Sequence, residues 1–104
     1  MAHHKHEIKA VIYDKRGRIL SIGQNSYVKT HTVQAHYAKK NNNEHAVFLH
    51  AEIDAILKCR DISKAHRIFV SRHTRSGGFG SAKPCPICQD AINTMTPIKI
   101  IEHT

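Results

Sequence analysis

His50, Cys85 and Cys88 are the residues whose types and spacing best suit a shared metal ion. The histidine stands in His50-Ala51-Glu52, and the cysteines stand in Pro84-Cys85-Pro86-Ile87-Cys88. Imidazole nitrogen and thiolate sulfur are ligands that zinc prefers in proteins. One histidine and two cysteines leave the fourth tetrahedral position open, which is typical of a catalytic zinc that binds water. The pattern therefore predicts a reactive zinc site.

Glu52 has the residue type to move protons at such a site. Zinc lowers the pKa of bound water toward ~7, and a neighbouring carboxylate can take the released proton and pass it to a substrate. Residues i and i+2 inside a helix point about 200° apart, so His50 and Glu52 converge only if His50 lies in the first turn. The alternative is a structural site completed by another histidine: His45, His66 or His73.

Two predicted helices carry these residues. Apolar residues recur at helical spacing from Leu49 onward, which predicts a helix over about His50 to Cys59. A second helix is expected to begin at Pro86, which suits a first helical position, and to stop before Pro97. At such helix starts the partial positive charge of the amides favours thiolate over thiol in Cys85 and Cys88.

The remaining segments predict a mixed sheet. Apolar runs indicate four strands, at Glu7 to Tyr13, Arg18 to Gly23, Arg67 to Ser71 and Ile98 to Glu102. Ser26 to Glu44 is polar and predicts a long loop with at most a short helix near Val33 to Ala38. The order β-β-α-β-α-β predicts an α/β fold whose sheet is parallel in its later part.

Composition limits the class of protein. The 104 residues predict a flexible tail at 1–6, with His3, His4 and His6, and one domain at 7–104. No apolar run suits a membrane span or a signal peptide, and an odd number of cysteines favours metal over disulfides, so a cytoplasmic protein is expected. The net charge of +8 favours a partner that bears phosphate.

The His50-Ala51-Glu52 and Pro84-Cys85-Pro86-Ile87-Cys88 motifs resemble the signature of the cytidine deaminase-like superfamily of zinc-dependent nucleobase deaminases. The resemblance implies a three-layer α/β/α fold, here reduced to a minimal four-stranded mixed sheet in the order 2-1-3-4 with two main helices. It implies zinc ligation by His50, Cys85 and Cys88, and a proton shuttle at Glu52. It also implies that the Ala51 N–H contacts the base carbonyl, and that Asn25 touches the sugar or base. Asn25 is equally compatible with a turn residue.

The chain departs from the superfamily pattern in three places. The usual helix before the first strand has no room, so a bare sheet face covered by another subunit, and hence a homo-oligomer, is expected. The fifth strand that separates the two branches of the superfamily is also missing. The extended loop from Arg72 to Lys83 replaces a short link, and its Arg75 is a candidate for binding a substrate phosphate. The same loop is equally compatible with a solvated, flexible segment.

Three other side chains have two interpretations each. Tyr27 and Tyr37 either pack or stack a base, and Cys59 fits a small buried apolar residue better than a ligand.

The resemblance implies hydrolytic deamination of cytosine in a nucleotide of the dCMP or CMP type, giving uracil and ammonia. One alternative is a cytosine or adenine deaminase acting on single-stranded nucleic acid or tRNA. The other is a zinc-stabilised nucleic-acid-binding module without catalysis, in which Glu52 would be an ordinary residue of the helix surface.

Overall fold

A computed structural model describes residues 7–73 and 78–104 of the chain. The predicted tail at 1–6 and Arg75 lie outside the described residues. The elements, in chain order, are β1 (Glu7–Tyr13), β2 (Ile19–Gln24), α1 (Thr32–Lys40), α2 (Ala51–Lys58), β3 (Arg67–His73), β4 (Phe79–Gly80), α3 (Pro86–Met95) and β5 (Ile100–His103), with a 3₁₀ turn at Ile62–Lys64 between α2 and β3.

The four longer strands form a sheet in the order β2-β1-β3-β5. β1 is antiparallel to both β2 and β3, whereas β5 runs parallel to β3 after the α3 crossover. This confirms the α/β class, the strand order implied by the resemblance and the parallel later part. The short strand β4 pairs antiparallel with Arg72 and His73, which lengthens β3 beyond its predicted end at Ser71.

The described helices pack on one face of the sheet. Alternate residues of the central strands are fully buried there: Ala10 and Ile12 on β1, and Ile68 and Val70 on β3. Helix α2 contacts β1 and β2, and α3 packs between α2 and α1. Ile22 pairs with Val11, and with a 53% exposed side chain it lies on the other face. That face carries no helix among the described residues. A homo-oligomer built on it remains a prediction.

The loop predicted for Ser26 to Glu44 contains a longer helix than the short one allowed near Val33 to Ala38. Residues Thr32–Lys40 form a nine-residue helix, a third helix beside the two main ones expected. The Nδ1 atom of His31 caps it by accepting a hydrogen bond from the Val33 N–H at 3.0 Å. It ends at Asn41, just before Asn42, whose φ of 58° cannot continue a helix. The helix is polar with a weak apolar face, so its periodicity gave little signal.

Gly23 allows β2 to lie directly against α2. A Cβ atom built at Gly23 would lie 2.3 Å from the Ala51 oxygen and 2.3 Å from the Ala55 nitrogen, both of them backbone atoms. The Ser21 hydroxyl donates a hydrogen bond of 2.6 Å to the Ala55 oxygen in the same contact. The position of α2 relative to the sheet therefore depends on a glycine at 23.

No helix in the described part of the chain is long and apolar enough to cross a membrane. The cytoplasmic location expected from the sequence stays a prediction.

We expect Gly23→Ala to destabilise the fold, since its methyl group meets helix backbone that cannot rotate away. Overpacking of this kind costs about 1 to 3 kcal/mol, which thermal unfolding of the purified protein would measure as a lower Tm. Gly17→Ala is the matched control. Its Cβ meets nothing within 4 Å, so only the strain of a φ of +83° remains, about 1 kcal/mol. An equal or smaller fall in Tm for Gly23→Ala would contradict the close approach.

Candidate metal centre

His50 lies immediately before α2, and Glu52 is in the first turn of that helix. The His50 backbone is extended, with φ −81° and ψ 153°, and its carbonyl accepts a hydrogen bond from the Asp54 N–H at 3.0 Å. The imidazole makes no capping hydrogen bond to the helix. From their spacing, the side chains of His50 and Glu52 can converge only at the start of a helix. The structure places them there.

A buried amide on α1 fixes the backbone of His50. Gln34 is fully buried, and its Oε1 accepts from the His50 N–H at 3.1 Å while its Nε2 donates to the Ala46 oxygen at 2.9 Å. Both ends of the amide are satisfied, as a buried amide requires. The sequence analysis missed this positioning residue because it lies in the segment interpreted as a loop. A single glutamine in a polar stretch carries no signal that could have revealed it.

The second half of the cluster comes from the beginning of α3. Cys85 is the extended residue before the helix, with φ −70° and ψ 167°, and Pro86 occupies a first position as predicted. The Gln89 N–H donates to the Cys85 oxygen at 2.9 Å, and its side chain donates to the Pro84 oxygen at 3.1 Å. Cys88 follows one turn later and is fully buried. The amino end of α3 thus presents both sulfur atoms to one point.

The three predicted ligands lie together. The Nδ1 atom of His50 is 3.2 Å from the Cys88 sulfur and 3.6 Å from the Cys85 sulfur. One potential ligand atom from each residue lies within 4.8 Å of the others. Tetrahedral zinc with ordinary Zn–N and Zn–S bonds would separate nitrogen from sulfur by about 3.6 Å. The donor set and its spacing therefore fit Zn²⁺.

The pKa values of the three predicted ligands are shifted in different directions. Hydrogen bonds from Cys88 and His50 lower the pKa of Cys85 to about 4, despite partial burial, so its thiolate is favoured at neutral pH. The hydrogen bond with Cys85, together with burial, raises the pKa of Cys88, and the hydrogen bond to Cys85 raises the pKa of His50. A divalent cation replaces such protons when it binds, because metal ligands must be deprotonated.

Glu52 lies beside the cluster and inside the protein. Its side chain is only 6% exposed and interacts with the Cys88 thiol and the His50 ring. Burial raises the pKa of the Glu52 carboxyl. Burying a carboxylate costs free energy unless it has partners, and Glu52 finds them in the cluster. In a non-catalytic binding module we expected Glu52 to be exposed on the helix surface, which is not what the structure shows.

The cluster opens into a cavity of about 430 Å³. His50, Ala51, Glu52 and Cys85 line one side of it, and Asn25 lies at its edge beyond the end of β2. This volume falls within the ~300 to 1,000 Å³ typical of small-molecule sites. The structure thus brings five of the seven predicted site residues to one cavity. Cys88 lies buried behind it, and Arg75 lies outside the described residues.

The positions of Ala51 and Asn25 are compatible with the roles expected of them. Ala51 is the first residue of α2, so its N–H is one of the groups that have no partner inside the helix. The Asn25 Oδ1 accepts from the Ile8 N–H at 2.9 Å, and the Asn25 N–H donates to the Ile8 oxygen at 3.2 Å. Asn25 therefore ties β2 to β1 and at the same time lines the cavity.

Two cations and two aromatic rings complete the cavity wall. The cations are Arg72, near the end of β3, and Lys83, shortly before Cys85. The rings are Tyr27 and Phe48, which are 41% and 46% exposed. The sequence analysis did not single out Phe48. Its position two residues before His50 is the signal that could have singled it out.

Other candidate residues lie elsewhere. Tyr37 packs in the core, with its hydroxyl bonded to Thr94, and Cys59 is buried at the end of α2. The metal-binding group found among the described residues contains no second histidine that could be a fourth ligand. His73 instead contacts the Phe79 ring at 4.9 Å. The alternative of a closed structural site, completed by another histidine, therefore gains no support from residues 7–73 and 78–104.

The mixed sheet and the two helix amino ends that face one His/Cys/Cys cluster place this chain in the class of zinc-binding α/β domains. The family model described as "Cytidine and deoxycytidylate deaminase zinc-binding region" matches residues 1–104. The chain belongs to this family. No curated protein gives a significant match to the sequence.

The purified protein is expected to contain about one zinc ion per chain, measured by elemental analysis after removal of loosely bound ions. Cys88→Ser should reduce the zinc content and lower the Tm, since the metal joins two helices of a small fold. Cys59→Ser is the matched control, because this buried cysteine lies outside the cluster and its loss should leave the zinc content unchanged. A folded, active protein without zinc would contradict the assignment.

Proposed function

We propose that this chain is a zinc-dependent deaminase that acts on cytosine in a nucleotide of the dCMP or CMP type and releases ammonia. The observation that carries the proposal is the buried Glu52 carboxylate beside the His50, Cys85 and Cys88 cluster at the wall of the cavity. His50, Cys85 and Cys88 are the proposed zinc ligands. When bound there, zinc would supply acidification of a water molecule.

The roles of the protein's own groups follow from their positions. Glu52 takes a proton from the attacking water, gives it to the ring nitrogen N3, and later helps to protonate the departing amine. Water adds at C4 and ammonia leaves, so cytosine and water become uracil and ammonia. In this proposal the Ala51 N–H donates to the base carbonyl and Asn25 contacts the sugar or the base, which is supported by the position of both residues in the cavity lining.

Charge at the cavity supports a substrate with a phosphate. Arg72 and Lys83 line the cavity on the side of β3 and α3, within reach of a group that extends from a bound base. Arg and Lys bind phosphate through charge-assisted hydrogen bonds. Arg75 lies just beyond Arg72 in the sequence and keeps its proposed role in phosphate binding. A free nucleoside has no phosphate for these cations to bind, so the phosphate is the discriminating group.

A second candidate substrate is single-stranded nucleic acid. The observation that favours it is the pair of half-exposed rings, Tyr27 and Phe48, at the same cavity. Stacking on aromatic rings is worth about 1 to 3 kcal/mol per base and commonly holds single strands. The net charge of +8 also favours single-stranded nucleic acid as the substrate. A nucleotide deaminase can use these rings for its single base, so we retain the nucleotide as the first choice.

Glu52→Gln should keep zinc and fold but lower kcat by at least ~10²-fold, the effect typical of losing a general acid/base. Ammonia release from dCMP would measure activity, and elemental analysis would measure zinc. Asp54→Asn is the matched control, a buried carboxylate on the same helix whose Oδ2 accepts from the Gln24 N–H and pairs with Lys58. Its activity should stay within a few-fold of wild type. Full activity in Glu52→Gln would end the proposed mechanism.

Lys83→Ala and Arg75→Ala should each raise KM for dCMP by about tenfold, the value of one charge-assisted hydrogen bond, and change KM for deoxycytidine much less. Lys39→Ala, an exposed cation on α1, is the control. Equal effects on both substrates would argue against a phosphate contact. Rapid deamination of an oligonucleotide, with dCMP untouched and a log–log salt slope near −0.7 per phosphate, would favour the nucleic-acid alternative.

A further inference from the structure

A second cavity, of about 400 Å³, has a different chemistry from the first. It lies between the β1–β2 turn, the 3₁₀ turn after α2 and the segment before β5. Five cationic side chains line it, and we call this cavity the basic groove. They are Lys15, Arg16, Arg18, Lys64 and Lys99.

Asp14 is the only acidic residue that lines the groove, and its oxygens are already engaged. Its Oδ1 accepts from the N–H groups of Arg16 and Arg18, each at 2.9 Å, and its Oδ2 accepts from the Arg18 Nε at 2.7 Å. The carboxylate thereby fixes the turn that carries Lys15 and Arg16. It neutralises one cation of the five.

The other four cations make no ion pair with any residue of the described chain. Lys15, Arg16, Lys64 and Lys99 are all exposed, and they come from three separate segments of the sequence. Like charges gathered without counter-charges repel one another and create a positive potential that attracts anions. The tertiary fold therefore concentrates positive charge at this end of the sheet.

The groove lies at the opposite end of the sheet from the candidate metal centre. Ile8, near the start of β1, lines the first cavity, whereas Asp14, just after the end of β1, lines the groove. A strand rises about 3.3 Å per residue, so the seven residues of β1 separate the two by roughly 20 Å. Cations in the groove cannot contact a nucleotide bound beside Glu52.

We propose that the basic groove binds consecutive phosphate groups of a ligand other than the nucleotide in the deaminase cavity. Arginine offers a planar fork that matches phosphate oxygens, and lysine offers a compact point charge. Five of the lining residues are cations and only two of the described ones, Ala65 and Pro97, are apolar, so we expect the groove to recognise its ligand mainly by charge. Phosphates joined in series match several cations spread along an open groove.

Binding of two probes to the full-length, zinc-loaded protein tests this proposal. Inorganic tripolyphosphate would be followed by calorimetry, and a labelled single-stranded oligonucleotide by fluorescence anisotropy. Arg16→Glu/Lys64→Glu should weaken binding of at least one probe by tenfold or more and leave dCMP deamination unchanged. Loss of tripolyphosphate binding would identify a free polyphosphate as the ligand type. Loss confined to the oligonucleotide would identify a phosphodiester backbone.

The matched control is Lys9→Glu/Lys39→Glu, which changes net charge equally at two exposed cations outside the groove. Its affinities should stay within threefold of wild type. Equal weakening by both double variants would show an effect of net charge alone and overturn the proposal. The proposal would also be overturned if probe binding were weakened by Lys83→Ala and unaffected by the groove variants. If Arg16→Glu/Lys64→Glu fails to fold, Arg16→Gln/Lys64→Gln provides the same comparison.

Discussion

The His50 Nδ1 atom lies 3.2 Å from the Cys88 sulfur and 3.6 Å from the Cys85 sulfur, and this contact requires the amino ends of α2 and α3 to meet. Each helix amino end carries unpaired amides and a partial positive charge. Two such ends repel unless negative charge lies between them. The Cys85 thiolate and the Glu52 carboxyl supply side chains that can carry it, and a zinc ion would hold the two helices through its ligands.

Once the two helix starts are fixed, the surrounding packing has little freedom. Gly23 lets β2 approach the backbone of α2, and Gln34 holds the residue before that helix through its amide. Both contacts reach the helix at or next to His50. The cavity is the space left between this junction and the ends of β2 and β3. Its shape is therefore set by the same contacts that bring the ligands together.

Local patterns in the sequence predict the parts of the site that depend on local geometry. The start of α3 follows from Pro86, and the starting point of α2 follows from the apolar repeat together with the His50 and Glu52 spacing. The strand order came instead from the family resemblance, which also supported the ligand set chosen from residue types and spacing. α1 was expected only as a short helix, because a polar helix held by a buried glutamine has almost no amphipathic repeat. The basic groove was missed, because its cations come from distant segments and only the folded sheet edge brings them together.

The sheet keeps two positively charged regions apart. Arg72 and Lys83 share a cavity with a buried carboxylate and two aromatic rings, whereas five of the residues that line the basic groove are cations. The two regions lie at opposite ends of β1, roughly 20 Å apart. The simplest arrangement is two separate ligands, so that charge reversal in the groove and loss of Glu52 should act on different measurements.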